Sequence, residues 1–293
     1  MRTVNKSVYN YDRISITART VAYVRSFSNI PYAKEIAEKV SAKEAWEKIW
    51  GNGPESHEQL MLRAPGIEAR GKSIDEILRR SNATQILELA AGMSPRGLAF
   101  TNTGKVTYTE TDLQDISNEK RGIIESIAPN YSSRKLRLEQ ANALSYADIL
   151  NASGAFLNKP LYIVSEGLMN HLNINEKKRV VDNVKCMLQV FGGAWICSDI
   201  LDRKRLDAAD TPGAKRTDIT GRSVIENALD SEESVHAFFS NMGFSVEKYP
   251  IFTNLHELYS LRILGVPKTE INPLLQKSPW KYTWVFKLNQ QRS

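Results

Sequence analysis

A chain of 293 residues, 42% hydrophobic and 25% charged, can bury a sizeable core, which excludes global disorder. The formal charge of +6 is dispersed, and its tightest basic run, Arg203-Lys204-Arg205, is followed at once by Asp207 and Asp210. This pattern describes a solvated surface and excludes an extended nucleic-acid-binding stripe.

From the N-terminus, Arg2, Lys6, Asp12 and Arg13 interrupt any apolar run of signal-peptide length, and no later stretch is long enough to span a membrane. Residues 1–81 read as a helical cap. Ile16, Val21 and Val24 recur at helical spacing within 14–25, and Ser28-Asn29-Ile30-Pro31 breaks the pattern. An amphipathic helix over 31–49 follows, with Ile36, Val40 and Ala45 on one side, ending at Gly51-Asn52-Gly53-Pro54. A third helix is expected over 73–80, with Ser73 as N-cap and Asp75 and Glu76 at its positive end.

After Asn82 the rhythm changes to short apolar runs alternating with helical stretches, the pattern of a mainly parallel α/β sheet. Strands are expected at 85–89, 105–109, 136–140, 161–166 and 194–198, then at 245–250 and 282–288. The clearest helices between them are 175–191 and 232–242. Residues 82–293 therefore read as a seven-stranded Rossmann-like domain, with a weakly patterned, polar insertion at 201–231. Cys186 and Cys197 lack metal or redox spacing, so no disulfide framework or metal is expected, and a reducing, cytoplasmic setting fits.

In such a sheet ligands bind beyond the carboxyl ends of the strands, so the residues closing each strand carry the functional information. The first gives Ile86-Leu87-Glu88-Leu89-Ala90-Ala91-Gly92-Met93-Ser94-Pro95-Arg96-Gly97, an acid in an apolar run followed by a tight turn of small residues. Glu88, Ala90 and Gly92 are thus candidate cofactor contacts. The full GxGxxG pattern is missing, which disfavours a dinucleotide. The second strand ends in Glu110-Thr111-Asp112, about 20 residues on, where a carboxylate grips ribose hydroxyls. The third leads to Asn142-Ala143, either an adenine contact or a turn former, and Glu166 closes the fourth.

These segments resemble, in order and spacing, the leucine carboxyl methyltransferase family and its bacterial relatives that O-methylate polyketide-type small molecules. The resemblance rests on Ile16-Thr17-Ala18 with Arg25, Arg70-Gly71-Lys72-Ser73-Ile74-Asp75, Leu89-Ala90-Ala91-Gly92-Met93, Glu110-Thr111-Asp112-Leu113 and Glu166-Gly167-Leu168-Met169. It implies an S-adenosylmethionine-dependent enzyme. Arg70 would pair with the cofactor carboxylate, Gly92 would lie on the methionine part, and Glu110 or Asp112 would hold the ribose. Asn142 and Ala143 would meet the adenine, and Glu166 the amino-acid portion. Asn142 stands where the family has aspartate, Met93-Ser94-Pro95-Arg96 replaces Leu/Met-Asp-Thr-Arg, and Asn170-His171 replaces a tyrosine.

Methyl transfer from a sulfonium is an in-line displacement that rewards positioning and exclusion of water. A carboxylate acceptor needs no base; a hydroxyl profits from one, and His171 is the candidate. Tyr9, Tyr11, Arg19, Tyr23, Arg25 and Phe27 fall on the lid segment, where Arg19, Tyr23 and Arg25 are candidate acceptor contacts. The expected partner is a small-molecule acceptor, with neither nucleic acid nor membrane; a homodimer is left open. Two other readings stand beside this one, a non-catalytic S-adenosylmethionine-binding protein and an NAD(P)-dependent Rossmann oxidoreductase.

Overall fold

The computed structural model describes residues 11–208, 222–253 and 258–289. Seven strands form one sheet in the order β3-β2-β1-β4-β5-β7-β6. They are β1 (Gln85–Leu89), β2 (Thr107–Asp112), β3 (Leu136–Gln140), β4 (Leu161–Ser165), β5 (Gly193–Cys197), β6 (Phe244–Pro250) and β7 (Tyr282–Leu288). The first five are parallel; β7 inserts antiparallel between β5 and β6. The strand order reverses beside β1, so the crevice for a ligand opens at the carboxyl ends of β1 and β4.

Alternation along the strands divides the core between the two faces. Ile86, Tyr108, Val164 and Ile196 pack with Ile36, Ile74 and Leu78 of the N-terminal helices. Their neighbours Leu87, Ile163 and Trp195 pack instead with Val180, Val184, Phe239 and Phe286. Because β1 is covered on both sides, every one of its residues is buried, Glu88 included.

The N-terminal region is more broken, and its last helix much longer, than the sequence pattern predicts. Helix α1 is Tyr11–Arg25, and the helix expected over 31–49 is two, α2 (Ala33–Lys39) and α3 (Ala42–Trp50). Ser41 between them is left-handed at φ 49°, letting Ile36, Ala42 and Trp46 all turn inward. Helix α4 runs from Pro54 to Arg80, so Ser73 is a mid-helix residue rather than an N-cap. Pro65, Gly66 and Gly71 concealed it in the sequence; tertiary packing overrides their low propensity. Gly66 is needed there, since a Cβ would come 2.9 Å from the Trp280 ring.

Between β6 and β7 the chain returns to α4. Glu68, fully buried in α4, accepts hydrogen bonds from the backbone N–H of Tyr259 (2.9 Å) and Ser260 (2.8 Å) and pairs with Lys72 at 2.6 Å. Further helices are α5 (Arg96–Thr101), α6 (Gln114–Ile127), α7 (Tyr146–Ala152) and α8 (Ile174–Phe191), with Glu232–Asn241, Tyr259–Ile263 and Lys268–Gln276 nearer the C-terminus. Short helices Arg203–Ala208 and Val224–Asn227 occur within the expected insertion, whose residues 209–221 lie outside the described ones.

Candidate active site

The turn after β1 is left-handed at Ala90 (φ 51°) and Gly92 (φ 50°). Alanine bears a cost there of roughly 1–2 kcal/mol that glycine would avoid. The Asp112 carboxylate at the end of β2 fixes this turn: it accepts Gly92 N–H at 2.7 Å and Leu113 N–H at 2.8 Å. A carboxylate offers about four lone-pair sites, so acceptor capacity remains for ribose hydroxyls. Burial raises the Asp112 pKa, opposed by those two backbone bonds.

Glu110 takes a different position from Asp112, two residues away on the same strand. It is 3% exposed, accepts Gly97 N–H at 3.0 Å and pairs with Lys120 of α6. A Cβ on Gly97 would come 2.3 Å from its carboxylate, so the second glycine of the turn makes room for Glu110 rather than for a pyrophosphate. Burial pushes Glu110 up to about 7, with the Lys120 ammonium pulling the other way.

Glu88 is likewise committed inside the protein. It pairs with Arg96 at 2.5 Å and accepts from the Tyr108 hydroxyl at 2.7 Å. Asn142 shapes its own turn, its Oδ1 accepting Leu144 N–H at 2.9 Å, while the Ala143 carbonyl accepts from Asn183.

At the end of β4, Glu166 is surrounded by three arginines. Arg25 of α1 donates to it at 2.9 Å, Arg96 of α5 at 2.7 Å, and Arg70 of α4 lies at 3.7 Å. Burial alone would raise the Glu166 pKa; Arg25, Arg96 and Arg70 instead hold it far below the usual carboxylate range. Arg70 is 4% exposed, donates from Nε to Ser198 Oγ at 3.3 Å and stacks on the Trp280 ring at 4.8 Å. Burial lowers its pKa, while Glu166 and Asp199 oppose that shift.

The lid residues expected to contact an acceptor have these surroundings. Arg25 is 5% exposed and bound to Glu166, so it belongs to the buried ionic cluster. Tyr23 packs edge-on to Phe27 and beside Trp46 in the helical core. Arg19 pairs with Glu119 of α6 at 2.7 Å. Tyr9 and the Tyr11 side chain lie outside the described residues. His171 ends a single 3-10 turn (Met169–His171) after β4, half-buried, with its carbonyl accepting from Arg222. Burial lowers the imidazole pKa, partly offset by the Asp199 charge.

Sequence reasoning passed over Arg96, Ser198, Asp199 and Trp280. The rule of reading strand ends applied to β5 as well, and would have marked Ser198-Asp199. Asp199 is fully buried and accepts Met169 N–H at 2.6 Å, shaping the turn that carries His171. Trp280 had no local signal, because its partner Arg70 is remote in sequence. Among the described residues no group of side chains forms a metal site, and no helix is long and apolar enough to cross a membrane.

The family model of leucine carboxyl methyltransferase matches residues 18–185, more than half of the chain. The chain belongs to the leucine carboxyl methyltransferase family. The match runs from the helix carrying Arg25 to the one following Glu166, and so contains the ionic cluster just described. Membership makes the protein an S-adenosylmethionine-dependent methyltransferase. No curated protein sequence matches it. Two solved structures show the same fold. Magnesium protoporphyrin IX methyltransferase from Synechocystis PCC 6803, with bound SAH, is 10% identical; the match covers 85% of this chain and 95% of that one, with a TM-score of 0.53. The methyltransferase domain of bacterial CtHen1 is 12% identical, covering 76% of this chain and all of that one, with a TM-score of 0.50.

The residues present fit the family cofactor. A buried guanidinium whose nearest carboxylate is 3.7 Å away stands at the sheet's carboxyl edge, and a turn with no Cβ at Gly92 adjoins a carboxylate with acceptor capacity to spare.

Proposed function

We propose that this methyltransferase transfers the methyl group to oxygen, a carboxylate or hydroxyl of a small, polyketide-like acceptor. The observation carrying the reading is Arg70, buried, its contact with Glu166 a long 3.7 Å, and held by Ser198 and Trp280 at the carboxyl edge of a sheet of this family. A planar fork in that state is suited to a ligand carboxylate.

On this reading Arg70 binds the cofactor carboxylate, the Ala90–Gly92 turn lies along the methionine chain, and Asp112 rather than Glu110 receives the ribose. Asn142 and Ala143 border the adenine, the second lone pair of Asn142 Oδ1 meeting its amino group. Glu88 and Glu110 support the site from within. When bound, S-adenosylmethionine supplies an electrophilic methyl on a sulfonium. The chain's own residues orient the acceptor and exclude water. A carboxylate acceptor arrives ionised; a hydroxyl would lose its proton to His171, whose burial favours the neutral form that can accept one. The helices of the 1–81 region, joined to the segment around Tyr259 through Glu68 of α4, act as the lid.

The test offers aliphatic acids, aromatic acids and phenols together with methyl-labelled S-adenosylmethionine, then treats the products with alkali. Label released as methanol identifies an ester, and alkali-stable label on a phenol identifies an ether. Transfer to amines alone would overturn the reading.

A further inference from the structure

Arg96 is 4% exposed and meets three carboxylates from three different elements. Its Nε donates to Asp75 of α4 at 2.7 Å, Nη1 to Glu88 of β1 at 2.5 Å, and Nη2 to Glu166 beyond β4 at 2.7 Å. Burial works against its charge, but Glu88, Asp75 and Glu166 more than offset that and keep it firmly cationic. Around Glu166 the arrangement is directional. Arg25 occupies Oε1, Arg96 occupies Oε2, and Arg70 is left 3.7 Å from Oε1.

We propose that Arg96 is a positioning residue for the cofactor site: by saturating the second oxygen of Glu166 and tying α4 to β1, it keeps Arg70 off that carboxylate and available to a ligand carboxylate. This rests on the reading of Arg70 as the cofactor's carboxylate clamp. The geometry explains why the position takes arginine. Three acceptors in three directions need a rigid fork with separate donors, which an ammonium on a flexible stem does not supply. Without the fork, Oε2 of Glu166 is a buried anionic oxygen lacking its partner. Of the three arginines, Arg70 is the one outside hydrogen-bond distance of Glu166, at 3.7 Å from Oε1; drawn in to the unpaired charge, it has less to offer a ligand.

The experiment is a double-mutant cycle on S-adenosylhomocysteine affinity, measured by titration calorimetry on wild type, Arg70→Ala, Arg96→Lys and the double variant, with thermal unfolding to establish that each is folded. Arg96→Lys should weaken binding about tenfold in the wild-type background and less than about twofold once Arg70 is gone, because its effect passes through Arg70. Equal losses in both backgrounds, or no loss at all, overturn the proposal while leaving the clamp intact. Wild-type protein that does not bind S-adenosylhomocysteine overturns the underlying reading as well. Should Arg96→Lys not fold, Arg96→Gln, which removes the charge paired with Glu166 Oε2 while keeping an amide donor, takes its place in the cycle with the same predicted coupling.

Discussion

Arg25 donates to Glu166 at 2.9 Å, joining the first helix to the end of the fourth strand across 141 positions of sequence. Both side chains are nearly inaccessible, so the bond is part of the cluster and not a surface contact. Replacing Arg25 by methionine should cost stability, about 2 kcal/mol, as expected for a lost hydrogen bond to a buried charge. Thermal unfolding reads this directly. An unchanged melting temperature with only a raised acceptor KM would show that Arg25 acts on the acceptor and not on the fold.

Gly97 is constrained by Glu110, whose carboxylate lies where a Cβ would stand. Gly97→Ala should destabilise by roughly 1–3 kcal/mol, the range for forced overpacking. Adding Glu110→Ala should recover part of that loss, since the nearest clashing group is gone while Leu136 Cδ1, at 2.7 Å, stays. Chemical denaturation of the four proteins in the cycle measures the coupling; strictly additive losses would show that the clash is relieved some other way.

Ala90 holds a left-handed conformation that glycine adopts without strain. Ala90→Gly should therefore stabilise by about 0.5 kcal/mol, strain relief exceeding the entropy gained by the unfolded chain. A fall in denaturation midpoint would mean that the Ala90 methyl contributes packing worth more than the strain.

Glu110 gives the fold a distinctive pH response. Its pKa is raised by burial from 4.5 to about 7. The fold therefore favours its protonated form, and its contribution to stability, full below pH 4.5, is lost as pH rises to about 7. Glu166, held low by its arginines, acts in the opposite sense, losing its contribution as pH falls. Carbon NMR of labelled glutamate should show one carboxyl titrating near 7, moving higher in Lys120→Met. A Glu110 midpoint near 4.5 in the wild type would contradict the buried placement.

The sheet was legible because its strands obey a simple rule: buried parallel strands such as Gln85–Leu89 and Leu161–Ser165 are short, mainly apolar runs bounded by small or polar residues. The same rule put Asp112 and Glu166 at the carboxyl ends of β2 and β4. It did not separate Asp112 from Glu110, because both lie on β2 with an even spacing and the distinction depends on what Lys120 and Gly97 bring to one of them. Helix α4 was hidden by Pro65, Gly66 and Gly71, whose tolerance depends on partners such as Trp280. The ionic cluster was invisible for a related reason: Arg25, Arg96 and Glu166 converge only after folding, and a charged residue in a sequence gives no sign of whether it will be buried.

The most direct test of the account is calorimetric titration of S-adenosylmethionine into the wild-type protein and Arg70→Ala. Saturable binding by the wild type and a loss of at least about tenfold in the variant are expected, with both proteins folded. Equal affinity in the two would remove Arg70 from the cofactor site, and with it the arrangement proposed around Glu166.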